Sequence, residues 1–218
     1  MRQKLTEKYR PTTLDEVFGQ PPVTLLKALV RNPFECCIML DGPPGCGKTA
    51  AACALAHDLG CVDRMSGLYE VTASSFSADE ARKMLRETLR MRPLCGAGWK
   101  VLVLEELEFL SPTTINFLKP AFDKNLPPHT IVVATSNDTS RLGETFLERF
   151  KPFRTFHAGK SFAVAAQQRL LAIWLSEGQS PERLPSGWQT WGWCGERFSM
   201  RIALGMMQDH LTVMEAIG

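Results

Sequence analysis

The sequence predicts an α/β fold: a parallel sheet flanked by helices, followed by a small all-helical domain. Three observations carry this. Apolar strand-like runs alternate with helical patterns from residue 23 to residue 156. A Gly-x-x-x-x-Gly-Lys-Thr turn, Gly42 to Thr49, joins the first such run to the first long helical one. After about residue 158 the pattern is helical only, with no strand-like run left. The expected division is 1–157 for the α/β domain and 158–218 for the helical one.

The elements follow in order. Turn-rich clusters at Tyr9-Arg10-Pro11 and Phe18-Gly19-Gln20-Pro21-Pro22 flank a short Leu14–Phe18 segment, the mark of an ordered arm. Val23–Val30 has helical apolar spacing. Cys36–Leu40 reads as a buried strand, and the helix after Lys48 stops near Gly60, a helix-ending residue. Leu68–Ala73 alternates like a second strand. Ser77-x-x-Glu80 is a capping box opening a helix to about Met91. Trp99–Leu104 and Thr130–Ala134 are continuous apolar runs, as buried parallel strands require. Between them Ser111-Pro112 opens a helix that Pro120 should end or kink. Phe153–Phe156 suits a last strand. Helices are then expected over Phe162–Leu175, ending near Gly178, and over Ser199–Val213, with a loop at Pro181 and Pro185 between them.

Strand, glycine-rich turn, helix is the setting that makes Gly42-Pro43-Pro44-Gly45-Cys46-Gly47-Lys48-Thr49 a phosphate-binding loop. Gly42, Gly45 and Gly47 let the backbone curl so that its N–H groups face phosphate oxygens, and the helix N-terminus adds partial positive charge. Lys48 suits the β- and γ-phosphates; the Thr49 hydroxyl suits Mg²⁺.

Composition sets limits. At 44% hydrophobic the 218 residues can bury a real core, and a net charge of +2 gives no bulk pull toward nucleic acid. Seven cysteines without a CxxC pair favour reduced thiols over a disulfide framework or a zinc site. The first eight residues lack the apolar core of a signal peptide, and no apolar run approaches the ~20 residues that span a bilayer. A cytoplasmic, nucleoid or, in a eukaryotic host, nuclear location is expected, with no membrane partner.

Three further sets bear on chemistry. Val101–Leu104 ends in Glu105-Glu106: Glu105 suits Mg²⁺ and Glu106 suits orientation of an attacking water, against the plain reading of a solvated strand end. Ile131–Ser136 ends in Asn137, placed for a γ-phosphate or the attacking water, since ligands of parallel sheets sit at strand carboxyl ends; a loop-starting Asn is the alternative. Arg82, Arg86 and Arg90 recur every four residues, a basic stripe for DNA phosphates or a solvated face paired with Asp79, Glu80 and Glu87. Trp188, Trp191 and Trp193 read as core or subunit contacts before base-stacking residues.

Taken in order, Glu7-Lys8-Tyr9-Arg10-Pro11, Phe18-Gly19-Gln20, the phosphate loop, the double acid and Asn137 resemble an AAA+ ATPase of the clamp-loader clade. The likeness extends to Leu147-Glu148-Arg149-Phe150, where that clade has Ser-Arg-Cys. It also covers Ser199–Gln208, which is similar to its Asp-x-Arg-x-Ala-Leu-Asn-x-x-Gln. The resemblance is to replication factor C small subunits and the bacterial clamp-loader ATPase subunit. It implies a P-loop NTPase fold, an AAA+ module with a helical lid, ATP and Mg²⁺. It implies that Tyr9, Arg10, Pro11 and Val17 wall the adenine. Arg149 would be an arginine finger for a neighbour's γ-phosphate, and Arg201 a second sensor on the lid. The implied partners are other AAA+ clamp-loader subunits in a ring, a sliding clamp and primer–template DNA. The implied activity is ATP hydrolysis stimulated by DNA and partners. The likeness departs at Glu105 (Asp in the clade), Glu148, Phe150, Ser199 and Gly205. The clade's third, helical collar domain has no counterpart in these residues. Another AAA+ DNA machine, a helicase loader or branch-migration motor, and a non-hydrolysing scaffold subunit are the competing expectations.

Overall fold

A computed structural model of the chain describes residues 3–124, 126–151 and 153–217. Its centre is a five-stranded parallel sheet. The strands are β1 (Cys36–Asp41), β2 (Leu68–Thr72), β3 (Lys100–Glu105), β4 (Thr130–Ser136) and β5 (Phe153–Thr155), in spatial order β2-β3-β4-β1-β5. β1 lies between β4 and β5, with Cys36 opposite Ile131 and Met39 opposite Phe153. The chain leaving β1 crosses to the far edge of the sheet before returning, so the loop after β1 opens beside the ends of β3 and β4. Open parallel sheets bind ligands at such crossings.

The two-residue period of a strand sorts the core. Ile38 and Leu40, Val101 and Val103, Ile131 and Val133 pack on one face; Met39, Leu102, Leu104, Val132 and Ala134 pack on the other. Both faces are buried, which is why these strands are apolar throughout. The first face is covered by α3 (Lys48–Asp58), with α2 (Val23–Arg31) against it, and the same apolar cluster extends into α7 (Lys160–Ser176) and α8 (Met200–Ile217). The second carries α4 (Ala78–Arg86), α5 (Pro112–Lys124) and the short α6 (Glu144–Leu147). In α3 the buried side chains Ala51, Ala52, Ala54 and Ala56 are small, so this helix seats close to the sheet. Phe122, Phe146 and Phe150 meet ring to ring under the second face.

The arm is ordered, as its turn clusters predict. It contains α1 (Leu5–Lys8); the Leu14 side chain is fully buried and its N–H donates to Asp58 Oδ2 at 3.0 Å. The Leu5 N–H donates to Gln208 Oε1 on α8 at 3.0 Å. Gln20 Nε2 donates to the carbonyls of Cys46 (3.1 Å) and His157 (2.7 Å), strapping the phosphate loop to the segment after β5.

Three expectations are corrected. The helix opened by Ser77 has its capping box but ends at Arg86, not Met91; a 3₁₀ turn, Thr88–Arg90, follows. Burial of Leu89, whose carbonyl takes Lys100 Nζ at 2.6 Å, tightens that turn. Of the two outcomes expected at Pro120, an end or a kink, the end does not occur and α5 runs on to Lys124: Leu118 and Phe122, on either side of the proline, are buried in the second core and hold the last turn in place. The C-terminal part is not wholly helical either, since β6 (Trp193–Cys194) and β7 (Arg197–Phe198) form a small antiparallel hairpin. It turns at Gly195, φ +60°, and is too short to show a period in the sequence. Trp191 is buried with its ring near His210, and Trp193 meets Phe198 edge-on, so these two tryptophans serve the core. All seven cysteines are free.

Candidate nucleotide site

The phosphate loop connects β1 to α3 and is shaped by its glycines. Gly42 (φ +137°) lies so near the chain after β5 that a Cβ there would sit 2.4 Å from the Phe156 carbonyl oxygen. At Gly47 (φ +98°) an added Cβ would meet nothing within 4 Å. That side of the loop is open, and it is where α3 begins, with its unpaired N–H groups and positive dipole end.

A cavity of about 440 Å³ lies against the loop. It brings together residues far apart in the chain. Tyr9, Arg10, Pro11, Val17 and Phe18 of the arm form one side. Pro44 to Thr49 form the floor, Glu105, Glu106, Thr135 and Asn137 the strand tips, and Phe162, Met200, Arg201 and Leu204 the lid side. Of the residues singled out in the sequence, these include Tyr9, Arg10, Pro11, Val17, Pro44, Gly45, Cys46, Gly47, Lys48, Thr49, Glu105, Glu106, Asn137 and Arg201. Gly42 and Pro43 are not on the cavity wall; their carbonyls hold Lys48 Nζ instead, at 2.6 and 2.9 Å. Arg169, on α7, also faces the cavity. Sequence reading missed it because a single cation on a helix of mixed pattern carries no signal.

Lys48 is buried, and desolvation pulls its ammonium pKa down, opposed by the negative charge of Glu108 and Asp41. A third acceptor, Asn137 Oδ1 at 2.9 Å, completes its shell. The Cys46 thiol beside it is pushed up by burial and stays protonated.

Thr49 Oγ1 donates to Glu105 Oε2 at 3.3 Å. Burial holds the Glu105 carboxyl above its ordinary value, against the pull of Thr49 and Arg10. A half-buried carboxylate beside a hydroxyl is a donor set that suits Mg²⁺, which binds through one or two carboxylates and keeps waters or phosphate oxygens elsewhere. No group of three or more His, Cys, Asp or Glu fit for a metal occurs among the described residues.

Glu106 has left-handed backbone, φ +57° and ψ +51°. Such strain in a non-glycine residue costs about 1–3 kcal/mol and collects at functional sites. Here it turns the chain from β3 into the 3₁₀ turn Leu107–Phe109, which sets Glu108 against β4. Glu108 accepts from Ser136 Oγ at 2.7 Å, from the Asn137 N–H at 3.2 and 3.3 Å, and from Asn137 Nδ2 at 2.9 Å.

On the arm, Arg10 Nη2 lies 3.3 Å from Glu70 Oε2 in the middle of β2. Glu177 accepts from both Lys8 Nζ and Tyr9 Oη, each at 2.7 Å, and so ties the arm to the end of α7.

The structure does not bring Arg149 to this cavity. It lines a second cavity with Cys36, Cys37, Phe122, Asp123 and Lys151, at the amino end of β1. Its Nη2 is 3.0 Å from Asp123 Oδ2. Arg82, Arg86 and Arg90 are exposed on the second face and also stand apart from the cavity. Arg82 and Arg86 share α4, whereas Arg90 falls on the 3₁₀ turn beyond it, so the stripe is not one helix face. Arg82 pairs with Asp79 at 2.5 Å and stands 5.2 Å over the Phe117 ring.

Comparison with known proteins places this architecture. Residues 38–158 match the family described as ATPase family associated with various cellular activities (AAA). The chain is 34% identical over 174 residues to a replication factor C small subunit of Archaeoglobus fulgidus, covering 79% of this chain and 53% of that protein. It is 29% identical over 212 residues to replication factor C subunit 3 of Blastobotrys adeninivorans, covering 96% and 59%. The chain thus spans little more than half the length of these relatives. The fold is similar to that of the Thermotoga maritima RuvB Holliday junction branch migration motor, with a TM-score of 0.71 at 21% identity over 95% of this chain and 67% of the other.

Proposed function

Because this chain belongs to the AAA family of ATPases, we propose that it binds ATP with Mg²⁺ in the cavity above α3. We further propose that it hydrolyses ATP as a subunit of a clamp-loader-like assembly that places a sliding clamp on primer–template DNA. The observation that carries the reading is the convergence of Lys48, the Thr49–Glu105 pair, Glu106, Asn137 and Arg201 on one cavity beside an open glycine cradle.

Each residue has a physical task in it. The loop N–H groups and Lys48 neutralise the phosphate tail. To do so Lys48 leaves the Gly42 and Pro43 carbonyls, which are weaker partners for an ammonium than a phosphate oxygen is. Thr49 and Glu105 would hold Mg²⁺, which supplies charge neutralisation between β- and γ-phosphate oxygens. Glu106 takes a proton from, or aligns, the attacking water. Tyr9, Pro11, Val17, Phe18 and Leu204 offer an apolar slot for a base. Arg201 adds positive charge from the lid. Arg149, which stands away from its own chain's cavity, serves a neighbouring copy or relative.

The replication role is supported by the sequence likeness to the two replication factor C subunits and by the arm at residues 7–11. Arg82, Arg86 and Arg90 give a surface for duplex phosphates, which position a protein without reading sequence.

The test pairs two variants. Lys48→Ala should weaken ATP binding about 100-fold or more, measured by titration with a fluorescent nucleotide. Glu106→Gln should bind ATP as wild type does, yet turn it over at least about 100-fold more slowly. Retained tight binding in Lys48→Ala would overturn the site. Unchanged turnover in Glu106→Gln would make the chain a scaffold and not the hydrolase.

A further inference from the structure

Glu108 is the acid that the ATP chemistry above leaves unused. It is not on the wall of the cavity, yet its carboxylate takes every donor at the tip of β4. Ser136 Oγ donates to it at 2.7 Å, the Asn137 N–H at 3.2 Å and Asn137 Nδ2 at 2.9 Å. On the opposite side of the same amide, Asn137 Oδ1 accepts from Lys48 Nζ at 2.9 Å.

This arrangement has only one low-energy orientation. Turned over, the Asn137 amide would set its NH₂ against the Lys48 ammonium and its oxygen against the Glu108 carboxylate, and both contacts would repel. Asn137 alone has no such preference, because its two ends are nearly equal in size. With a neutral glutamine at 108, only the Lys48 half of that preference would remain.

We propose that Glu108 is a positioning residue of the nucleotide site: it clamps the Asn137 amide so that the carbonyl oxygen, not the NH₂, faces the phosphate-binding lysine. The proposal rests on the ATP-site reading and sharpens it. The side chain of Asn137 presents an acceptor to the cavity. An acceptor takes a hydrogen bond from a water or from an ammonium; it gives none to a phosphate oxygen. Asn137 therefore orients the attacking water or Lys48 and does not donate to the γ-phosphate. Glu108 itself touches neither.

The experiment is a double-substitution cycle on the full chain, with protein concentration raised until turnover per chain no longer increases. Glu108→Gln keeps shape and removes charge, so three donors compete for one oxygen and the Asn137 amide is held in orientation from the Lys48 side only. ATP turnover should fall about tenfold or more, while the KM for ATP and the affinity for ADP stay within about twofold. In an Asn137→Ala background the same substitution should cost no more than about twofold further, left by the direct field of Glu108 on Lys48, because Glu108 acts chiefly through Asn137. Glu108→Asp, one methylene short but still charged, should lose less than Glu108→Gln, and its loss too should vanish with Asn137→Ala. It serves as the comparison if Glu108→Gln does not fold. Unchanged turnover in Glu108→Gln would overturn the proposal, as would losses that multiply in the double variant. Failure of the underlying ATP-site reading looks different: the wild-type chain would then bind no ADP.

Discussion

At the scale of single residues the site is a set of groups in environments they do not prefer. Glu105 shows this best. Burial raises its carboxyl above the ordinary 4.5, with Glu70 and Glu106 adding to the effect. A raised native value means that the fold binds this proton more tightly than the unfolded chain does. The stabilisation from Glu105 is then complete below about pH 4.5 and is lost as pH rises through the raised value; at neutral pH the ionised carboxylate is a burden on the fold. Glu105→Gln should therefore melt about 1–2 °C higher than wild type at pH 8, the effect being reduced because the group is half exposed. The difference should narrow toward pH 5, while Mg²⁺-dependent turnover falls. Scanning calorimetry at the two pH values decides it; a gain that does not vary with pH would place its cause elsewhere.

At the scale of elements, the loop and the start of α8 are in direct contact. The Met200 N–H donates to the Gly45 carbonyl at 3.1 Å, and a Cβ on Gly45 would lie 2.0 Å from Ser199 Oγ and 2.9 Å from Ser199 Cβ. Gly45 also has φ +78°, where side chains are strained. Gly45→Ala should push the start of α8 off the loop, lower the melting temperature by about 4 °C or more and weaken ADP binding at least about tenfold. Melting and nucleotide titration of the one variant check both effects. This contact was invisible in the sequence, where Gly45 and Ser199 are 154 positions apart and each has a sufficient local reason to be there. The strands were legible for a physical cause: β1, β3 and β4 are buried on both faces and so must be apolar along their whole length. The end of α4 was not, because a helix that continues past Arg86 and a 3₁₀ turn that buries Leu89 demand the same residue types. Glu108 was hidden likewise among three acids in four positions; only the 3₁₀ turn decides which of them bends back to β4.

At the scale of the whole molecule, one apolar core runs from the sheet through the arm into the C-terminal helices, with Leu5, Leu14, Leu55, Trp174 and Met207 in a single cluster. The helices after residue 158, expected as a lid domain over 158–218, contact both the arm and the loop. Glu177 is a knot in that fabric, since one almost wholly buried carboxylate receives both Lys8 and Tyr9. Glu177→Ala should release the arm from α7 and weaken ADP binding about fivefold to tenfold, because Tyr9 and Pro11 then no longer hold their side of the cavity. Equal affinity in the variant, with the fold intact by circular dichroism, would show that the arm is held without it.

The placement of Arg149 has a geometric corollary. The phosphate loop leaves the carboxyl end of β1, whereas Arg149 sits beside its amino end, and six residues of strand put these ends about 17 Å apart. Under the proposed role, Arg149 cannot reach the phosphate loop of its own body, and a second body must bring one to it. Where each body lends its arginine to the next in one direction, the series is head to tail, and it either closes on itself or grows into a filament.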